Sequence, residues 1–265
     1  MTKIYYFSGT GNSLWSAKRI AHNISGVNPG EICELFNIGV EAQTALNRKK
    51  GETVIEADTV IFVFPSFAYG MPHVVRKFAK NVNFKTNYFA AFVTYGSSPG
   101  GTLGSLRRIL KKKDIVKMYF GKIPAVENYL AIFGTPKEKT IKLRCEMQEK
   151  ATEEASRSVI EKKENSVSVF YPLSFLVYCL FTLGVKIFYN FFRVSDKCSA
   201  CAVCEKICSV NAIVMKDGKP RFSSKCEHCQ GCVNICPQRA IQFARVRFGT
   251  SGYCHPKISV NELKR

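Results

Sequence analysis

The chain has 265 residues, enough for one large domain or for a medium domain with a small one. Its apolar fraction is 46% and its mean hydropathy is −0.05, which excludes a multispanning membrane protein. Lys and Arg outnumber Asp and Glu by 39 to 20, a formal charge of +19 that points to acidic partners or an anionic surface. The basic runs at 48–50, 107–108 and 111–113 are scattered and match no nucleic-acid module, so nucleic acid is not expected as a partner.

The N-terminal MTKIYYFSGTG has none of the three regions of an export signal, and a cytoplasmic location is expected. Twelve cysteines in such a chain read as metal ligands rather than disulfides. Strand patterns occur at 3–8, 31–38, 59–65, 88–95 and 116–123, with helical patterns near 12–24, 71–82, 102–113 and 137–164. The last helix is expected to begin with Thr135 as N-cap and Pro136 in its first turn. The run TVIFVFP at 59–65 is apolar throughout, as for a parallel strand covered on both faces. Alternating β and α predict a five-stranded, doubly wound parallel sheet with helices on both sides.

The loop between the first strand and the first helix reads Ser8, Gly9, Thr10, Gly11, Asn12, Ser13. Three hydroxyls, two glycines that admit a close ligand and a helix N-terminus together suit a phosphate. The loop is neither GxGxxG nor GxxxxGK[ST], so dinucleotide-fold and Walker-type sites are excluded. It resembles the FMN phosphate loop of flavodoxins. That resemblance implies a flavin lying at the carboxyl ends of the third and fourth strands. Those ends carry Pro65, Ser66, Phe67, Ala68, Tyr69, Gly70 and Thr94, Tyr95, Gly96, Ser97, where aromatics can stack on the ring and glycines let amides approach it. Whether Phe67 or Tyr69 faces the ring is open.

The second half carries Cys198-x2-Cys201-x2-Cys204-x3-Cys208 and then Cys226-x2-Cys229-x2-Cys232-x3-Cys236-Pro237. This is the bacterial ferredoxin run, repeated. The fourth cysteine of such a run serves the other cluster. One [4Fe–4S] cluster is therefore expected on Cys198, Cys201, Cys204 and Cys236, and a second on Cys226, Cys229, Cys232 and Cys208. Zinc would need CxxC pairs without the third and fourth cysteines in register. Ser209 stands where the family usually has proline. His228 reads as a loop filler, and Cys33, Cys145, Cys179 and Cys254 as ordinary thiols.

Residues 167–192 are strongly apolar, and 167–185 carry no charge. Pro172, Gly184, several polar residues and Lys186 oppose a membrane span, as does the presence of cofactor-type domains on both sides. A buried helical connector between two domains is the favoured reading, with a membrane-surface helix as the alternative. The organisation expected is a flavodoxin-like domain at 1–165, a connector at 166–194, a small α+β ferredoxin domain at 195–246 and a tail at 247–265 that packs back on one of them.

Taken whole, the chain resembles flavodoxin–ferredoxin fusion proteins. The resemblance implies FMN and two [4Fe–4S] clusters that exchange electrons with each other and with redox partner proteins bearing acidic docking surfaces. No catalytic acid, base or nucleophile constellation is present, which favours an electron carrier. The alternative is a flavin-dependent reductase of a quinone or similar small oxidant. Peripheral membrane contact through 167–192 and a homodimer are both left open.

Overall fold

The computed structural model describes residues 1–169, 172–244 and 250–265. Phe170 and Tyr171 of the connector, Arg245 and Val246 at the end of the domain expected at 195–246, and tail residues 247–249 lie outside the described residues.

The first part runs β1 (Thr2–Tyr6), α1 (Asn12–Val27), β2 (Cys33–Asn37), α2 (Ile38–Leu46), β3 (Thr53–Glu56), β4 (Thr59–Pro65), α3 (His73–Asn81), β5 (Val82–Lys85), β6 (Tyr88–Tyr95), α4 (Thr102–Leu110), β7 (Lys117–Pro124), α5 (Leu130–Phe133) and α6 (Glu138–Ile160). Five strands form one sheet in the order β2-β1-β4-β6-β7, all parallel. Counting only these five, the order is 2-1-3-4-5, the flavodoxin-type doubly wound arrangement. β3 and β5 pair separately as a short parallel ribbon.

Side-chain alternation divides the buried strands between two cores. Ile4, Ile61, Val63, Ala90 and Phe92 face α1 and α6, meeting Ala17, Ile20, Ala155 and Val159. Tyr5, Phe62, Phe64, Phe89 and Ala91 face the other way and meet Ala42, Val75, Phe78 and Leu106 of α2, α3 and α4. Phe62 contacts the rings of Tyr5, Phe78, Phe84 and Phe89 at once. Such a sheet has no polar face, as the sequence of β4 requires.

The second part runs α7 (Pro172–Phe188), β8 (Phe192–Val194), α8 (Val203–Lys206), β9 (Ile213–Lys216), β10 (Lys219–Phe222), α9 (Gly231–Ile235) and β11 (Ile241–Phe243). β8 pairs with β11 and β9 with β10, both antiparallel. Phe192, Phe222 and Phe243 stack together over this small core.

Two expectations need correction. α6 starts at Glu138, with Lys137 as its N-cap and no capping side chain. Thr135 instead donates its hydroxyl to the carbonyl of Ser251, 2.7 Å away, so it fastens the tail rather than the helix. The connector is not a buried helix. Tyr178 is buried, with its hydroxyl on the Met71 carbonyl at 2.7 Å and the Arg76 guanidinium over its ring. Leu173, Leu176, Leu180, Leu183 and Ile187 all stay exposed. Among the described residues α7 has neighbours on one side alone, so one edge is covered and the opposite face is bare. Among the described residues no helix is long and apolar enough to cross a membrane.

The tail lies against the start of α1. The amide of His255 donates to the Thr10 carbonyl at 2.8 Å, and the Tyr253 hydroxyl bonds the Asn12 side chain at 2.7 Å. The His255 ring stacks on Trp15, with centroids 5.0 Å apart. Lys257 also reaches over that ring and pairs with Glu149. Burial pushes the His255 imidazole down to about 4, Lys257 adding to the effect and Glu149 opposing it. The folded state therefore refuses a proton that the unfolded chain accepts near its ordinary value of 6.5. Tail docking is at full strength above pH 6.5 and weakens as pH falls from 6.5 towards 4. Trp15, the single tryptophan, reports it. Its emission is expected to change across that window, and His255→Phe is expected to flatten the change.

Candidate functional site

The phosphate loop is shaped by the turn into α1. Gly11 takes φ 98°, in the left-handed region, and its amide donates to Ser8 Oγ at 3.1 Å. α1 then opens with no acidic residue in its first turn, leaving its N-terminal amides to attract an anion. Ser13 and Thr94 are buried and share a hydrogen bond of 2.8 Å, which ties this loop to the end of β6.

Across from it, Phe67 and Gly70 exchange two backbone hydrogen bonds, at 2.8 and 3.0 Å. Ala68 and Tyr69 between them both have positive φ, 47° and 66°. This is a tight two-residue turn in the strained backbone region that tends to mark functional loops.

Together these loops enclose a cavity of about 460 Å³. The structure brings fourteen of the sixteen sequence-nominated residues onto its wall: Ser8, Gly9, Thr10, Asn12, Ser13, Pro65, Ser66, Phe67, Ala68, Tyr69, Thr94, Tyr95, Gly96 and Ser97. Gly11 and Gly70 are not on it. Gly11 shapes the loop from behind, where a Cβ would meet His255, and a Cβ at Gly70 would run into the Tyr178 ring. Both open aromatics line the wall. Phe67 sits edge-on to Phe7 at 6.3 Å, while Tyr69 stands at the more exposed lip.

Sequence reasoning passed over a third wall. The loop after β7 supplies Val126, Glu127, Asn128 and Tyr129. Asn128 donates to Thr10 Oγ1 at 2.6 Å, and Asn12 donates to the Val126 carbonyl at 2.9 Å, so this loop braces the phosphate loop directly. Its position at the carboxyl end of the last strand was the available signal. Ile132 and Phe133 of α5 and Val177, Phe181 and Phe188 of α7 complete an apolar side that no motif announced. Among the described residues no lysine or arginine lines the cavity, although the chain is strongly basic. Amides, hydroxyls and one helix terminus are the anion-binding groups that the described wall offers.

The cysteine segment closes the cavity. His228 and Cys229 lie on its wall. Behind them, a Cβ at Gly9 would come within 2.4 Å of the Cys229 carbonyl oxygen, and one at Gly231 within 2.6 Å of the Gly9 carbonyl oxygen. The phosphate loop and the second cysteine run thus pack backbone against backbone. His228 is therefore more than a loop filler: it is buried among Phe188, Phe192 and Phe243, beside the cavity.

The two cysteine runs repeat each other in backbone conformation. Ala200 and Ala202 have positive φ, and so do His228 and Gln230 at the matching positions; Asn211 is matched in the same way by Arg239. Left-handed residues in alternation turn successive amides to one side and make a concave anion nest. The amide of Ala212 donates to Cys208 Sγ and that of Ala240 to Cys236 Sγ, each at 3.3 Å. Cys198, Cys201, Cys204 and Cys236 line one small cavity, with Met215, Pro220 and Ile241 around it. The electrostatic neighbours of Cys226 include Cys229 and Cys208, and those of Cys232 include all three. Burial pushes the Cys204 and Cys229 thiols up to about 12. Among the described residues, no three Cys, His, Asp or Glu side chains converge on a single metal ion.

Ser209 departs from the usual proline and touches the first domain. A Cβ at Gly39 would lie 2.5 Å from Ser209 Oγ, and the Ser209 carbonyl accepts Gln43 Nε2 at 2.8 Å. Glu227, inside the second run, accepts the His73 amide at 2.7 Å and so caps α3.

No family model matches the chain, and no curated protein matches it. Solved structures do. An azoreductase from Bacillus anthracis str. Sterne aligns at 12% identity and a TM-score of 0.41, over 61% of this chain and all of that one. An FMN-dependent NADH-azoreductase from Bacillus anthracis str. Ames Ancestor in complex with FMN aligns at 8% and 0.40, over 60% and 100%. The two-electron reduced flavodoxin of Megasphaera elsdenii aligns at 19% and 0.34, over 58% and 99%. The flavodoxin-type fold of the first part rests on its strand order and register, not on these likenesses.

The close backbone contact makes a test. Gly9→Ala places a methyl against a backbone carbonyl that has nowhere to move, a cost of about 1–3 kcal/mol. A lowered melting temperature is expected, whereas Gly26→Ala, open on every side and inside α1, is expected not to lower it.

Proposed function

We propose that the chain is an electron-transfer protein that holds FMN in the cavity and two [4Fe–4S] clusters in the cysteine segment. The observation that carries this reading is that Cys229 lines the same cavity as the phosphate loop. A flavin supplies one- or two-electron exchange and each cluster a one-electron step. Electron transfer needs the two close together, and here a cluster ligand forms part of the flavin-site wall.

The residues fit both groups. Ser8, Thr10 and Ser13 with the α1 amides would hold the phosphate, and Phe67, Tyr69 and Tyr95 would border the ring. Cys198, Cys201, Cys204 and Cys236 would hold one cluster, and Cys226, Cys229, Cys232 and Cys208 the other. The positive-φ repeat and the amide-to-sulfur hydrogen bonds support this assignment. A four-iron cubane is much wider than one ion, so its thiolates need not converge on a point. Buried thiols with raised pKa become thiolates only against a concentrated positive charge, which iron supplies. Redox proteins with acidic surfaces are the partners that suit the net charge.

A second reading is a flavin-dependent reductase of a small oxidant. One observation supports it: the cavity keeps an apolar side, formed by Ile132, Phe133, Val177 and Phe181, beyond what the three strand-end loops provide.

Protein purified without oxygen is expected to contain FMN and two clusters' worth of iron and acid-labile sulfide per chain. Cys201 is exposed and remote from the cavity wall, so Cys201→Ala is expected to halve the iron and leave the flavin bound. Clusters with a flavin site that stays empty after reconstitution would overturn the FMN assignment. Full iron in Cys201→Ala would overturn the ligand assignment.

A further inference from the structure

We propose that α7 docks the protein on an anionic lipid bilayer, lying in its surface with Leu173, Leu176, Leu180, Leu183 and Ile187 inserted. These five follow one another at helical spacings of three and four, so they form a single stripe along the helix. All are exposed, Leu173 by 75% and Leu183 by 70%. A soluble surface rarely leaves so continuous an apolar strip uncovered. On the opposite side Tyr178 anchors the helix to the body through Met71, so the stripe is held outward.

Length and anchorage together favour lying over spanning. The described part of α7 has 17 residues, at the lower limit of the roughly 17–25 that a span takes. Its Tyr178 side is held against the body through Met71 and Arg76, so lipid cannot surround it and the helix lies in the interface plane.

Charge decides what it lies on. No acidic residue occurs between Glu164 and Asp196, whereas Lys186 and Arg193 do. Arg107 and Arg108 grip the carbonyls of Val167 and Val169 just ahead of the helix. The whole chain is strongly basic. Such a surface is drawn to acidic headgroups and repelled by a second copy of itself. The patch is also too small for a stable homodimer: even with exposed Phe175, Val177, Ile132 and Phe133 added to the five, it falls well short of the roughly 20–30 residues a side of standard interfaces. The apolar edge continues through Val177 to Ile132 and Phe133 at the cavity, so the docked face adjoins the site.

The test is vesicle co-sedimentation of the full chain carrying its cofactors. Phosphatidylcholine vesicles with about one-third phosphatidylglycerol are expected to bind it, pure phosphatidylcholine far less, and high salt is expected to release it. The double variant Leu176→Ser, Leu183→Ser alters exposed positions. It is expected to keep its helix content and melting temperature and to bind the anionic vesicles at least about tenfold more weakly. Absence of wild-type binding would overturn the proposal, as would undiminished binding of the variant. A concentration-dependent dimer in sedimentation velocity that the variant abolishes would also overturn it, by giving the stripe to a second copy. Vesicle binding is read without reference to iron or flavin content, so this proposal and the electron-transfer reading fail separately.

Discussion

The structure depends on the backbone contact between Gly9 and the Cys229–Gly231 turn. Neither side of it tolerates a side chain, because each glycine meets a carbonyl oxygen of the other segment within van der Waals distance of its missing Cβ. The contact fixes the cysteine segment on the carboxyl edge of the sheet, where a doubly wound fold presents its ligand site. Other ties agree with that placement. Glu227 caps α3, Ser209 sits on Gly39, and Asn234 donates to the Asn128 carbonyl at 3.1 Å. Each of these joins a residue within or beside a cysteine run to a loop or helix start of the first part. The two parts are thus joined by the same surfaces that would carry cofactors.

The constraint has an electrostatic side. A basic protein could hold a phosphate with lysine or arginine, yet among the described residues its cavity wall has neither. Neutral donors leave the loop at 8–13 free to approach Cys229 closely. A cationic side chain there would occupy volume, and the Gly9 contact leaves none. Among the described residues no lysine or arginine is buried, so the positive charge sits on the outer surface, where it would act on a partner through long-range fields rather than on the ligand.

The sheet was legible in the sequence because its central strands are apolar without interruption. β4 and β6 begin and end where their composition does, at 59–65 and 88–95. β3 and β5 were not legible, since TVIE and VNFK are only four residues long, too short a run for alternation to stand out. α2 was hidden because Asn37 ends β2 and caps the next helix with no intervening turn, its side chain accepting the Gly39 amide. The nominated loops came from local composition, and most of their residues do share one wall. The loop after β7 has no glycine signature; its Asn128 matters only because the fold sets it 2.6 Å from Thr10. Tertiary placement of that kind leaves no trace in spacing.

α7 shows the limit of periodicity most clearly. The segment is apolar on nearly every face, so a sequence pattern cannot distinguish burial from exposure. The structure separates the faces: Tyr178 turns into the body, Val177 and Phe181 reach the cavity, and the leucine stripe faces outward. A helix apolar all round is ordinarily surrounded by protein or by lipid. Here protein covers one side, and the uncovered side is flanked in sequence by basic residues and by no acidic one. Folding alone gives no reason to keep five large aliphatic side chains in water, because Lys or Gln at these positions would serve the helix as well. The proposed bilayer docking would give these side chains a second environment, and it would bring the apolar edge of the cavity next to lipid.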